Sequence, residues 1–211
     1  MTIGIPAGLD PRRRRICEVA LAELGTRERP HASNRGPVEK YFPAWKRRRL
    51  EQQDAAAGRK VRGPAWCAFF TTWCWQQALE EGSPVGHIGS VHRCATRARD
   101  GRRWVDFGGG FADAEMLLGM APGDAFVMLD RPLGYGSSGH IGIILRVSED
   151  GLRWVTVEGN TGHAVRLGLR RADQPRMRGV ISVLGDLGTG DWETGLGDLD
   201  GVEDVTELGT R

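Results

Sequence analysis

The chain has little cysteine and no long hydrophobic run. Its 211 residues include only four cysteines, too few for the disulfide scaffold of a small secreted domain, so free thiols are expected. No apolar segment approaches the roughly 20 residues that a membrane-spanning helix needs, which excludes such a helix. The N-terminal RRRR precedes ICEVALAEL, but Glu18 and Glu23 interrupt that segment and no small-residue cleavage site follows. We therefore predict no signal peptide and expect synthesis in the cytoplasm.

Acidic charge is scarce in the body of the chain and concentrated at its end. Residues 186–211 hold eight acidic residues and one arginine, a net charge of −7, which leaves +9 for residues 1–185. We predict one domain over 1–185 and an acidic, glycine-rich tail over 186–211 that is disordered. The basic body suits an anionic polymer such as nucleic acid or bacterial cell wall, or is simply a solvated surface. The arginine runs lack interleaved aromatic residues, so a nucleic-acid partner is not expected.

Helical patterns fill the first half of the domain. Asp10 as N-cap and Pro11 at the first helical position predict a helix over 11–24. The charged stretch KRRRLEQQ predicts an exposed helix. An apolar helix is predicted over 66–81 and a weaker one over 91–99.

Five short segments rich in valine and isoleucine follow the helices: DAFVML, HIGIILRV, RWVTVEG, AVRLGLR and GVISVLG. The turns between them are too short to hold crossover helices, which predicts an antiparallel meander. Helices followed by strands indicate the α+β class.

Cys67 stands in the first turn of the apolar helix. Unpaired backbone amides and the positive end of the helix dipole favour a thiolate there, although a thiol still needs a base. His140 begins the second predicted strand and Glu158 ends the third, so an antiparallel hairpin would bring the two side by side. A carboxylate beside an imidazole orients it, and Asn160 could share that role or bind substrate. The alternative is that Cys67 is a packing residue.

The other cysteines and two histidines carry weaker signals. Cys17, Cys74 and Cys94 are expected to be structural. His87 and His92 lie near Cys94, but no second cluster completes a zinc site, so no metal is predicted.

Four segments together resemble the CHAP family, the cysteine, histidine-dependent amidohydrolases and peptidases of the papain-like group. They are PAWCAFFTTWCW, PGDAFVM, GHIGII and EGNTG, which occur in the family's order, and the resemblance covers roughly residues 20–183. It implies a papain-like α+β fold in which N-terminal helices pack on an antiparallel meander. It also implies that Cys67 is the nucleophile and that His140, Glu158 and Asn160 occupy the matching catalytic positions.

The resemblance implies a substrate as well. Many CHAP relatives cleave peptidoglycan, as amidases or endopeptidases, and phage endolysins are typical members. We therefore expect a monomeric peptidoglycan hydrolase without cofactor or membrane partner. It would reach the wall after lysis, in a phage particle or through an injection apparatus. Certain phage members place an Asp-rich calcium loop before the nucleophile, whereas GRKVRG stands there in this chain, so no calcium is expected.

Two further residues are site candidates by analogy with papain-like enzymes. Asn34 could join the Cys67 amide in an oxyanion hole, or it could simply form a turn. Trp66 could line a substrate groove, or it could pack in the core. Two other functions remain open. One is a thiol hydrolase or transferase effector acting on a different amide or ester, and the other is a catalytically silent module that binds anionic polymers.

Overall fold

Helices precede strands along the chain, as the sequence predicts. The structure, a computed structural model, describes residues 4–107, 119–135 and 138–185 and the backbone of residues 203 and 204. The helices are α1 (Pro11–Ala22), α2 (Ala44–Ala57), α3 (Cys67–Ala78) and α4 (Val91–Asp100), with a 3-10 helix at Gly36–Tyr41. The strands are β1 (Trp104–Asp106), β2 (Ala125–Leu129), β3 (Gly139–Val147), β4 (Arg153–Thr161), β5 (Ala164–Arg171), β6 (Met177–Ile181) and β7 (Glu203–Asp204). None of the helices in this described part is both long and apolar enough to span a membrane.

Helix α1 begins where the sequence predicts and ends slightly early. The Asp10 carboxylate accepts a hydrogen bond from the Arg12 amide at 2.8 Å, and a proline occupies the first turn. Beyond Ala22 the chain turns toward β5, where the Gly25 amide donates to the Val165 carbonyl at 3.0 Å. The Glu23 and Leu24 amides still donate to the helix carbonyls of Ala20 and Leu21, and the helix ends at the left-handed Gly25, which has φ of 82°.

The sheet order is β1-β6-β2-β3-β4-β5-β7. Strands β2 to β5 form the predicted antiparallel meander, but the prediction that the last segment extends it beyond β5 is wrong. Strand β6 instead returns to pair with β2, and β1, which the sequence did not reveal, pairs with β6. Every residue of β2 is buried. A buried strand cannot leave the amides of its second edge unpaired, and β6 satisfies them.

Both faces of the central strands are covered. One face packs against α1 and α3 through Val127, Ile141 and Val157, whereas Phe126 and Ile144 belong to a second apolar cluster. Burial on both faces explains why these segments read as continuous apolar runs rather than alternating ones. The α+β class is therefore confirmed.

Part of the acidic tail contacts the sheet. Glu203 and Asp204 form β7, which runs parallel to β5 opposite Gly168 and Leu169. The prediction that the acidic tail, residues 186–211, is disordered stays a prediction. The remainder of that segment lies outside the described residues.

Candidate active site

Cys67 is the first residue of α3. The first intrahelical hydrogen bond runs from the Phe70 amide to the Trp66 carbonyl, so the amides of residues 67–69 have no partner within the helix. Within the described residues no side chain caps this helix. Cys67 is buried, with 6% of its surface exposed, and lies at the positive end of the helix dipole.

The structure brings His140 and Glu158 together through the β3–β4 hairpin, as the sequence predicts. The imidazole Nε2 lies 2.8 Å from Glu158 Oε2, and the nearby Cys67 side chain helps to raise the pKa of the same imidazole. Since Nε2 is engaged by the carboxylate, Nδ1 is the ring nitrogen left to exchange a proton with the Cys67 sulfur. A thiol, an imidazole and a carboxylate thus form one connected chain of polar groups.

Glu158 is fully buried, and its two oxygens contact four side chains. Thr156 donates to Oε1 at 2.6 Å and Thr161 donates to Oε2 at 3.0 Å. Arg170 binds both oxygens, from Nε to Oε1 at 2.8 Å and from Nη2 to Oε2 at 2.6 Å. Thr156, Thr161 and Arg170 were not among the site residues predicted from the sequence. The one available signal was that each lies on β4 or β5 close to Glu158.

The electrostatics of the site favour a charged imidazole. Burial alone would lower the pKa of His140, but hydrogen bonds with Cys67 and Glu158 and the negative charge of Glu158 raise that pKa to about 9. Burial would likewise raise the pKa of Glu158, yet the charge of Arg170 and the hydrogen bond with His140 hold it far below its usual value. The carboxylate is therefore ionised and the imidazole protonated at neutral pH.

A bulge in β4 brings Thr161 into the site. Residues three apart in a regular strand point to opposite faces, so Thr161 would face away from Glu158. The register shifts between these two residues, and Asn160 adopts a left-handed conformation with φ of 66°. As a result the Thr161 hydroxyl lies 3.3 Å from His140 Nε2.

Asn160 itself does not take the orienting role that the sequence suggested. Among the described residues no hydrogen bond joins its side chain to His140, and Glu158 and Thr161 occupy that position instead. The contribution of Asn160 to the geometry comes from its backbone, which forms the bulge.

Asn34 lies in the loop that precedes α3, where its backbone amide and its side-chain amide both donate to other groups. Its Nδ2 donates to the Gly63 carbonyl at 2.9 Å, and its amide donates to Glu28 Oε2 at 2.8 Å. With φ of 55°, Asn34 forms a turn that holds the segment leading into α3. The side-chain amide is committed to this loop, so the structure favours the turn over the oxyanion role.

Trp66 does not line a groove. Its ring is fully buried and stacks on Tyr41 at 5.5 Å between ring centroids. The indole Nε1 donates to Glu28 Oε1 at 2.9 Å. Because none of its surface is exposed, the prediction of a substrate contact is wrong and the packing interpretation holds.

The remaining cysteines lie in the core, as predicted, and all four cysteines are free thiols. Burial raises the pKa of Cys17 to about 12 and raises the pKa values of Cys74 and Cys94 well above those of exposed thiols.

His87 contacts the Tyr41 carbonyl at 2.7 Å. In the part of the chain that the structure describes, no group of three or more His, Cys, Asp or Glu residues is placed to hold a metal ion.

An open groove with a volume of about 350 Å³ lies next to the candidate site. It is lined by Leu24, Gly25, Arg27 and residues 164–167 of β5. Cys67, His140 and Glu158 are not among its lining residues. The groove adjoins the β4–β5 turn without reaching the nucleophile.

Comparison with models of protein families, with curated proteins and with solved structures finds no match to this chain. The function must therefore be inferred from the chemistry of the site itself.

Proposed function

We propose that the protein is a thiol-dependent amidohydrolase or peptidase of the papain-like, CHAP type. One observation carries this proposal: the His140 imidazole lies 2.8 Å from a fully buried carboxylate and close enough to a cysteine at a helix N-terminus that both groups raise its pKa. A nucleophile, a base and a group that orients the base are the three parts that covalent acyl transfer requires. A packing cysteine needs neither of the other two.

The acylation step follows from these roles. The Cys67 thiolate attacks the amide carbonyl carbon, and the carbonyl oxygen becomes an oxyanion. The Cys67 amide and the free amides at the start of α3 are the donors available to stabilise that charge. The imidazolium of His140 gives its Nδ1 proton to the departing amine as the carbon–nitrogen bond breaks. A thioester to Cys67 and a neutral imidazole remain.

Deacylation reverses the role of His140. The neutral imidazole takes a proton from water, and the resulting hydroxide adds to the thioester carbonyl. Collapse of that intermediate breaks the carbon–sulfur bond, releases a carboxylate product and restores the thiolate–imidazolium pair. Glu158 stays ionised throughout and stabilises the charged imidazole.

Peptidoglycan is the proposed substrate. Two observations support it: the likeness of the four catalytic segments to wall-cleaving CHAP proteins, and the +9 charge of residues 1–185, which complements an anionic wall polymer. Delivery after lysis, in a phage particle or by an injection apparatus would each bring the enzyme to the wall.

Digestion of purified sacculi tests the proposal. The wild-type protein should release soluble fragments. Mass spectrometry of their new termini identifies which bond was cleaved, and so whether the enzyme is an amidase or an endopeptidase. Cys67→Ala should release none. Cys74→Ala is the matched control, because it removes a thiol from the same helix but from the core.

Alkylation of Cys67 separates the two parts of the proposal. If Cys67 reacts with iodoacetamide much faster than the other cysteines but sacculi stay intact, the thiol enzyme stands and the substrate is another amide or ester. If Cys67 reacts no faster than the buried cysteines, the hydrolase proposal itself is wrong.

A further inference from the structure

The carboxylate that orients His140 is shared with a second cation. Arg170, on β5, binds both oxygens of Glu158 at 2.8 and 2.6 Å. By the sheet register Arg170 lies opposite Trp154, four residues from Glu158, so its side chain extends along the sheet past Gly168 to reach the carboxylate. A long side chain stretched to a bidentate contact is a specific arrangement, because the guanidinium fork fits both carboxylate oxygens at once.

The pair is almost completely shielded from water. Glu158 is fully buried, Arg170 is 3% exposed, and the Phe126 ring lies 5.3 Å from the guanidinium carbon. The other charged or titratable groups near the carboxylate are His140 on β3, Cys67 on α3 and Arg166, which lies directly across from Glu158 in the register. A buried carboxylate that lost Arg170 would depend chiefly on His140 for its countercharge, and the ionised form would be strongly disfavoured.

We propose that Arg170 is a positioning residue for the Cys67–His140 pair: it holds both oxygens of Glu158, keeps that carboxylate ionised and fixes its Oε2 toward His140 Nε2. This inference rests on the proposed thiol chemistry. Arg170 acts only through Glu158, and the proposal does not require it to contact the substrate.

A second buried ion pair shows what a purely structural role looks like. Arg13 and Asp124 are 3% and 1% exposed and lie 2.7 Å apart. The Asp124 carboxylate otherwise accepts hydrogen bonds from backbone amides of Ala121 and Val183. In contrast, the other partners of Glu158 are His140 and two threonine side chains, one of which also contacts His140. Loss of either arginine should reduce stability, but only loss of Arg170 should alter the reactivity of Cys67.

The test measures the rate of Cys67 alkylation by iodoacetamide as a function of pH, with mass spectrometry to identify the modified cysteine. Arg170→Met should move the midpoint of the rise in rate upward, by less than the about 1 to 3 pH units expected for Glu158 itself, because Cys67 responds only through Glu158 and His140. Arg170→Lys keeps the charge but loses the fork, so its midpoint should lie between those of the wild type and Arg170→Met. Arg171→Met is a control on the adjacent residue, whose partner is Asp173 at the surface.

Each outcome either supports or overturns the role of Arg170, and failure of the hydrolase proposal gives a different result. The inference is supported if the midpoint rises in the order wild type, Arg170→Lys, Arg170→Met, while Arg171→Met and Arg13→Met keep the wild-type midpoint. It is overturned if both Arg170 variants keep the wild-type midpoint, or if Arg13→Met shifts it equally. Should Arg170→Met fail to fold, the comparison of Arg170→Lys with Arg13→Met decides alone. A wild-type Cys67 that is not selectively alkylated overturns the hydrolase proposal instead.

Discussion

The buried Glu158–Arg170 pair predicts a strong energetic coupling that a double-mutant cycle can measure. Glu158 is fully buried and the Arg170 side chain is 4% exposed, and two hydrogen bonds of 2.8 and 2.6 Å join them. Removing one partner leaves a buried charge without its bidentate ion-pair partner, which costs about 3–5 kcal/mol in the free energy of unfolding. Replacing both by uncharged side chains of similar size avoids that penalty. The double variant Glu158→Gln with Arg170→Met should therefore lose much less stability than the two single variants added together, with a coupling of about 3 kcal/mol or more.

Urea unfolding at neutral pH supplies the four free energies of the cycle. A domain of ordinary stability, about 5–15 kcal/mol, should still fold with either single variant. The surface pair Arg171–Asp173, whose side chains are 45% and 26% exposed, is the matched control and should show a coupling of about 1 kcal/mol or less. Additive single losses at Glu158 and Arg170 would refute the reasoning, because they would mean that neither charge depends on the other.

Four further outcomes are expected. Cys67→Ala should reduce sacculus hydrolysis by at least about 1,000-fold without loss of the fold, as judged by circular dichroism, because the members of a triad act as a unit. Because the pKa of His140 is raised from 6.5 to about 9, its contribution to stability is complete below about pH 6.5 and is lost as the pH rises through 9. Urea titrations should show that loss in the wild type and not in His140→Gln. Thr161→Val should lower kcat/KM about 10- to 150-fold, since a hydrogen bond to a charged group contributes about 1.5–3 kcal/mol, and Thr161→Ser should restore it. Deleting residues 186–211, which carry −7, should tighten sacculus binding at low salt and have little effect at high salt, where screening is strong. Equal pull-down at every salt concentration would contradict a competing tail.

The three residues of the candidate site, Cys67, His140 and Glu158, could be predicted because their placement depends on local patterns. Cys67 follows Pro64 at the start of an apolar helix, and His140 and Glu158 occupy the ends of neighbouring strands joined by a short turn. Antiparallel pairing of such strands leaves only one arrangement, in which the start of one lies beside the end of the other.

The residues around Cys67, His140 and Glu158 could not be predicted in the same way. Arg170 reaches Glu158 along the sheet face from a position four residues away in register, and no local pattern encodes that reach. Thr161 enters the site only because Asn160 forms a bulge, and a strict alternation would have placed it on the opposite face. The return of β6 to β2 depends on which sheet edge needs a partner, a property of the whole sheet rather than of the GVISVLG segment.

The Glu158 carboxylate is unfavourable to bury, yet the proposed reaction needs it to stabilise the charged imidazole. An ionised carboxylate in a fully buried position is strongly unfavourable without a nearby cation. If His140 were the only such cation, the protonation state of Glu158 would change whenever His140 gained or lost the proton that the proposed reaction moves. In the proposed acylation step His140 gives up its proton, and Arg170 would still balance the charge of Glu158 through two hydrogen bonds. The carboxylate can then remain ionised and in place to stabilise the imidazolium when it forms again. A permanent cation on one side of Glu158 thus lets a titrating group on the other side gain and lose its proton without disturbing the core.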